Sequence, residues 1–295
     1  MNPSDGDDRP VLVISDLHLG RTGMTERSEE IAPLIDAAST LVINGDVAEL
    51  HVRTWAEDAV RELEGLRARC RRSGTQLLVL AGNHDPEITK RRHLLLAAGG
   101  LLVTHGDVVH EALAPWSDAA GIIRARHRKV LEELPSSERD TLPALFEACR
   151  EAAKAECEAL GDLGRPTTPL TAVAKPWKLV AIGHFWWSHA RKLDRFAELH
   201  APTSRVILAG HSHRAAIERV GHRTIVNTGC FGVPGPALGV VLGPDGLEVR
   251  RILRERRSRI RRLGQTVLHR DAKIRLQASE LPVEDFARPS IEDAA

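Results

Sequence analysis

Tyrosine is absent from the 295 residues, and aromatic residues make up only 3% of them. Together with a bias towards arginine over lysine, that absence is what a GC-rich genome produces, and it carries no functional weight. Cysteine is scarce. Cys70, Cys149, Cys157 and Cys230 form no C-x-x-C pair, which excludes a zinc ribbon and a thioredoxin-like redox site. They read as reduced thiols, some of them buried. Long apolar runs are missing too. The longest candidate, residues 94–103, is broken by Gly99 and Gly100, well short of the ~20 residues a membrane-spanning helix needs. Charge of one sign is not in excess: 41 basic residues face 40 acidic ones. Bulk nucleic-acid binding is therefore not expected. The chain opens on polar, acidic residues, the reverse of a signal peptide, so a cytoplasmic location is expected.

A hydrophobic fraction of 42% and a charged fraction of 27% exclude a collagen-like, coiled-coil or wholly disordered chain. The length suffices to bury a sizeable core. Short branched apolar runs recur at 11–14, 40–43, 76–80 and 101–103, consistent with buried strands. Residues 26–38 are helix-like, and 55–72 read as an amphipathic helix closed by Gly74. The strand rhythm stops after 110. Helices are expected at 118–134, at 142–160 behind Thr141 as cap, and at 177–199. Strands return at 206–208 and 224–226, followed by a hairpin around residues 243–246. The pattern predicts an α/β body over 10–110 and 204–254, with a helical cap insertion over 111–203. A basic segment follows at 255–276, and disorder is expected at 1–9 and 277–295.

Five polar clusters each follow an apolar strand directly: Asp16/His18, Asp46, Asn83-His84-Asp85, His105 and His211/His213. Function in open α/β sheets collects beyond the carboxyl ends of strands, so these clusters are expected on one rim. Imidazole, carboxylate and amide oxygen suit Mn, Fe, Zn or Mg rather than a thiolate centre. Seven ligands are too many for one ion and enough for two if a carboxylate bridges. Two divalent ions can generate a hydroxide nucleophile and clamp both oxygens of a phosphoryl transfer.

The order DLH, GD, GNHD, HGD, GHSH resembles the calcineurin-like metallophosphoesterase superfamily. The resemblance implies a layered metallophosphoesterase β-sandwich with flanking helices. It also implies two divalent ions, Mn²⁺ foremost. One would be held by Asp16, His18, Asp46 and His213. The other would be held by Asp46, Asn83, His105 and His211, with Asp46 bridging. His84 matches the position that protonates the leaving group or stabilises the transition state, and Asp85 would orient it. The implied activity is hydrolysis of a phosphate ester or pyrophosphate by a metal-bound hydroxide.

The substrate stays open among several readings. The layout of Thr104-His-Gly-Asp107, a helical insertion and Gly210-His-Ser-His-Arg214 is similar to UDP-2,3-diacylglucosamine pyrophosphatases of lipid A synthesis. Those enzymes act on a nucleotide sugar at the inner membrane surface, which adds a peripheral membrane location to the expectations. That branch usually has Arg where this chain has His84. The opening Ser15-Asp-Leu-His-Leu-Gly20 resembles DNA-repair exonucleases, which leaves a DNA nuclease as an alternative. A non-catalytic scaffold is the third alternative, although no ligand is missing. Arg21 and Arg53 near the rim, and Arg124, Arg128, Arg191 and Arg195 on insertion helices, are candidates to hold a substrate's second phosphate or head group. Residues 250–262 contain eight Arg and one Glu, a run able to meet an anionic membrane surface or nucleic acid.

Overall fold

The computed structural model describes residues 7–160, 176–233, 235–255, 258–276 and 280–282. Eleven strands form two sheets. The strands are β1 (Val11–Ile14), β2 (Thr40–Asn44), β3 (Gln76–Leu80), β4 (His93–Leu96), β5 (Leu101–Thr104), β6 (Val206–Ala209), β7 (Ala216–Val220), β8 (Arg223–Asn227), β9 (Leu238–Gly243), β10 (Gly246–Arg254) and β11 (Arg261–Asp271). The first sheet runs β11-β10-β9-β1-β2-β3 and the second β4-β5-β6-β8-β7. β1, β2 and β3 are mutually parallel, as are β5, β6 and β8. The helices are α1 (Ala32–Asp36), α2 (Arg53–Ser73), α3 (Ala120–Glu132), α4 (Leu142–Leu160) and α5 (Pro176–His200). Among the described residues no helix is long and apolar enough to cross a membrane.

The period of two along each strand distributes the core. Val11 and Val13 of β1 point between the sheets, where they meet Leu101, Val103, Val206 and Leu208. Leu12 and Ile14 point the other way, against Leu34, Ile35, Leu63 and Leu66 of α1 and α2. The second sheet repeats the scheme. Leu102, Ile207 and Ile225 face outward and pack on Phe146 of α4 and on Leu193, Phe196 and Ala197 of α5. The result is the α/β body that the strand pattern predicts, built as the layered β-sandwich with flanking helices that the resemblance implies. The insertion does more than cover it, because α4 and α5 are themselves the outer layer of the second sheet.

Three expectations change. β7 carries no apolar run that announces it, and β4 is the first part of the 94–103 run, which turns at Gly99 and Gly100 to give two strands, β4 and β5, where one was expected. Both are antiparallel edge strands, and every residue of β7 is at least partly exposed. Residues 255–276 are not a separate basic segment. β11 pairs with β10 from Leu247 opposite Asp271 to Arg254 opposite Arg261, and Ile274 is buried between the sheets. The body therefore does not end at 254. Residues 26–38 form a 3₁₀ turn, Ser28–Ile31, and the short α1 rather than one helix. Of the segments expected to be disordered, 1–6, 277–279 and 283–295 lie outside the described residues.

One buried cation ties the insertion to the body. Arg223 of β8 is 2% exposed. It pairs with Asp194 of α5 (2.9 Å) and donates to the carbonyls of Ser204 (3.0 Å) and Pro202 (3.2 Å). Arg223→Ala leaves the Asp194 carboxylate and two carbonyls without this partner. We expect a loss of about 3 kcal/mol in denaturant-induced unfolding. A loss below about 1 kcal/mol would show that apolar packing alone holds α5 in place.

Candidate metal centre

β1, β2, β3, β5 and β6 all run in one sense within their sheets and end at one rim, and each ends in one of the five polar clusters. The two sheets are joined there by polar bonds. Asn44 Nδ2 donates to Thr104 O (2.8 Å), and the backbone N–H of His211 donates to Asp16 Oδ1 (3.0 Å).

Backbone conformation at the rim is unusual. Asp16, His18, Asp46, His211 and His213 have φ of 53°, 48°, 50°, 64° and 56°. Non-glycine residues rarely enter this left-handed region, and each such residue carries a strain cost. The strain turns each side chain sharply out of its strand and into the space between the two sheets. Glycines make room for that: a Cβ on Gly82 would lie 2.1 Å from Asp46 Oδ1, and one on Gly45 2.3 Å from His105 Nδ1.

Asp16, His18, Asp46 and His213 offer donor atoms within 4.8 Å of one another. His18 Nε2 and His213 Nε2 face each other at 3.1 Å, and His213 Nε2 lies 3.3 Å from Asp16 Oδ1. On the other side His105 Nε2 and His211 Nδ1 approach Asn83 Oδ1 at 3.3 and 2.8 Å. Asp46 joins the two groups. Its Oδ2 is 3.5 Å from His18 Nε2 and 3.3 Å from His105 Nε2, while Oδ1 accepts the His84 N–H (2.9 Å).

The ring tautomers fit this reading. His105 Nδ1 is bonded to Asn44 O (2.9 Å) and His211 Nε2 to Leu113 O (3.1 Å). Each bond places a proton on the outer nitrogen and leaves the inner one a free donor. Four imidazole nitrogens, carboxylate oxygens and an amide oxygen all converge without a lysine or arginine among them. That donor set suits divalent first-row ions. In the protein alone, protons take part of the cation's role. Burial opposes charge on His105, but Asp46 outweighs it and lifts that imidazole to about 10. Burial likewise opposes the Asp46 charge, yet the imidazoles of His105, His84 and His18 hold its carboxyl well below the usual range.

His84 lies beside this cluster, and its partner differs from the expected one. Asp85 does not orient it. The Asp85 carboxylate accepts backbone N–H groups from Gly82 (2.8 Å), Asp46 (3.2 Å), Val47 (2.6 Å) and Ala48 (3.3 Å). It clamps the β2 and β3 loops together. The orienting carboxylate is Glu49, fully buried, with Oε1 2.6 Å from His84 Nδ1 and Oε2 3.0 Å from His18 Nδ1. Burial works against charge on His84, but Glu49 and Asp46 prevail and raise it to about 9. The signal for Glu49 was an acid between Ala48 and Leu50 on an otherwise buried turn.

The insertion closes over two sides of the rim. Trp186 Nε1 of α5 donates to Ser212 O (2.9 Å), pinning the loop between His211 and His213, and the Phe185 ring lies 5.5 Å from that of His211. On the other side α4 docks on the loop after His84. Arg150 and Lys154 pair with Glu87 at 2.9 and 2.5 Å, and Cys157 Sγ donates to His51 O (3.0 Å). Glu156, which the sequence pattern did not single out, is hydrogen-bonded to Ser117. Burial pushes its carboxyl up, and the charges of His84, Asp46 and Glu49 act on it from across the rim.

The six arginines divide. Arg21 reaches the centre, with Nη1 3.1 Å from Glu49 Oε2 and the guanidinium 5.3 Å from the Trp55 ring centre. Arg53 opens α2, close enough to Cys157 for their charges to interact. Arg128 pairs with Glu111 (2.9 Å), and Arg191 covers Trp187 on its own helix, 4.4 Å from the ring centre. Arg124 and Arg195 are exposed on α3 and α5. Among the described residues none of these last four contacts a motif loop. The basic run is also largely occupied: Arg259 pairs with Glu26 and Glu30, Arg262 with Glu255, and Arg261 donates to Phe231 O. Arg256 and Arg257 lie outside the described residues.

The family model of calcineurin-like phosphoesterases matches residues 9–215, and the chain belongs to that family. Members of the family hydrolyse phosphoesters with the help of divalent metals. Among solved structures, the chain is similar to a conserved uncharacterised protein, described as a predicted phosphoesterase, from Streptococcus pneumoniae TIGR4. Identity is 14% and the TM-score 0.38, over 87% of this chain and 93% of that one. It is also similar to Vacuolar Protein Sorting 29 from Cryptosporidium parvum (12% identity, TM-score 0.39, 88% and 97% covered). A third similar structure is the phosphopantetheinyl hydrolase of Mycobacterium tuberculosis (14% identity, TM-score 0.31, 76% and 90% covered). No curated protein matches the chain.

Glu49 and Asp85 are separable by mutation. Glu49→Ala frees two rings and should lower turnover by about 10–100-fold in a fully folded protein. Asp85→Ala strands buried N–H groups and should lower unfolding free energy by about 1–3 kcal/mol. Thermal unfolding and a phosphatase assay on both variants check this. A turnover loss confined to Asp85→Ala at unchanged stability would return the orienting role to Asp85.

Proposed function

We propose that the protein is a dinuclear metal-dependent phosphoesterase, hydrolysing a phosphate ester or anhydride of an organic molecule. The observation that carries this is Asp46 Oδ2, placed between His18 Nε2 and His105 Nε2 at 3.5 and 3.3 Å with a separate donor set on either side. Asp16, His18 and His213 would hold one ion and Asn83, His105 and His211 the other, with Asp46 shared. The mixed nitrogen and oxygen set favours Mn²⁺, with Fe, Zn or Mg as alternatives. Bound there, the ions supply a nucleophile from water and offset the charge on the phosphoryl oxygens.

The protein's own groups do the rest. Glu49 keeps His84 protonated at neutral pH and fixed in orientation, so that His84 can give its proton to the departing oxygen. Arg21, held by Glu49, places a second positive charge at the same edge. Asp85 and the Arg92–Asp107 pair (2.6 Å) keep the 82–85 loop in place, since Arg92 also donates to Gly82 O. α4 and α5 narrow the rim, which favours a small organic phosphate, including a nucleotide sugar, over a polymer.

Asp46→Asn weakens the shared ligand. Metal analysis of the purified variant should count one ion per chain instead of two, and nearly all activity should be gone. Two ions with full activity would overturn the dinuclear assignment. His84→Ala should keep both ions and lose roughly 10²–10⁴-fold in turnover. The loss should be smaller for p-nitrophenyl phosphate, whose leaving group needs no proton. Equal losses for good and poor leaving groups would assign His84 to charge stabilisation instead.

A further inference from the structure

Beside the metal centre, on the far side of the loop that follows His84, lies a groove of about 790 Å³. One wall is the segment from Pro86 to His93. The other is the first half of α4, where Leu142, Phe146 and Arg150 fall on one helical face. The volume is that of a site for a small organic ligand. Its floor is apolar: Phe146 is buried, Leu142 and Pro143 flank it, and the His93 ring stacks on Phe146 at 5.4 Å.

The charges around the groove are unevenly used. Glu87 and Glu147 are both engaged by Arg150, and Glu87 also by Lys154. Arg92 is engaged by Asp107. Arg91 and Lys90 remain. The Nη1 atom of Arg91 is buried and has no hydrogen-bond partner, and Lys90 is exposed with no ion pair among the described residues. A buried guanidinium N–H without an acceptor is costly. The wall that carries it begins two residues after His84. Arg150, which lines the groove, binds Glu87, three residues after His84, so the groove and the metal centre share the loop that follows β3.

We propose that this groove binds the part of the substrate beyond the reacting phosphoryl group. Its ligand is an organic phosphate whose ring or apolar body carries a second anionic group, paired by Arg91 and Lys90. The body lies on the Leu142–Phe146 floor. The assignment rests on the phosphoesterase reading of the adjacent centre and deepens it to a substrate with two anionic ends.

The test compares adenosine 3′,5′-bisphosphate with adenosine 5′-monophosphate, which share ring and sugar and differ by one phosphate. Calorimetric binding to the full-length protein should favour the bisphosphate by about 10-fold or more. Arg91→Ala should erase most of that preference, Lys90→Ala part of it, and Arg91→Lys should restore part. In Mn²⁺-loaded protein the ratio of kcat/KM values for the two compounds should fall in parallel. Lys90 is exposed, so its variant reads charge without a folding effect. Equal affinity for the two compounds in the wild type, or an undiminished preference in both alanine variants, overturns the groove. Arg91-dependent binding with no turnover of any ester supports the groove and overturns the phosphoesterase reading.

Discussion

Everything at the rim depends on the carboxylate of Asp46. It is buried among imidazoles in a site where an isolated charge would be expensive to hold. Its two oxygens have separate duties. Oδ1 is held by the N–H of His84, which belongs to the loop after β3. Oδ2 faces the two donor groups, one built mainly from the first sheet and one mainly from the second. The relative position of the two sheets therefore sets whether one oxygen can serve both groups. The bonds from Asn44 to Thr104 and from His211 to Asp16 fix that position.

Strain is the counterpart of this arrangement. Five of the seven proposed ligands sit at positive φ, and such conformations persist only where surrounding structure over-determines them. Here the surroundings are buried strands directly before each ligand and a carboxylate, Asp85, that gathers four backbone N–H groups. Core packing, loop clamping and ligand direction are thus one system. Glu49 extends it by binding His18 and His84 with its two oxygens, so that a metal ligand and the proposed proton donor share a single anchor.

The insertion serves the body and the site together. Phe146, Leu193 and Phe196 complete the core on the outer face of the second sheet. The same two helices carry Trp186 onto the His211–His213 loop and Arg150 and Lys154 onto Glu87, in the loop after His84. Packing that completes the core thus also sets which side chains of α4 and α5 reach the rim loops.

Much of this was legible in the residues alone. Buried parallel strands announce themselves as apolar runs, and five of them are followed at once by a polar cluster, so the α/β class and the candidate ligands were legible in the chain itself. Edge strand β7 could not, because a half-exposed strand lacks the run, and β4 was merged with β5 in the single 94–103 run. β11 was hidden for a related reason: its arginines look like a solvated tail until Glu255 and Glu248 are seen to pair with Arg262 and Arg270. The orienting role expected of Asp85 fell to Glu49 because adjacency in sequence says nothing about which acid faces a ring and which faces backbone amides. Local pattern determined the buried parallel strands and nominated the candidate ligands, since both follow from periodicity and donor chemistry. The pairing of His84 with Glu49, the arginines that reach the centre and the groove at Arg91 were decided by the packing of α4 and the two sheets, because contacts between distant segments have no period in the chain.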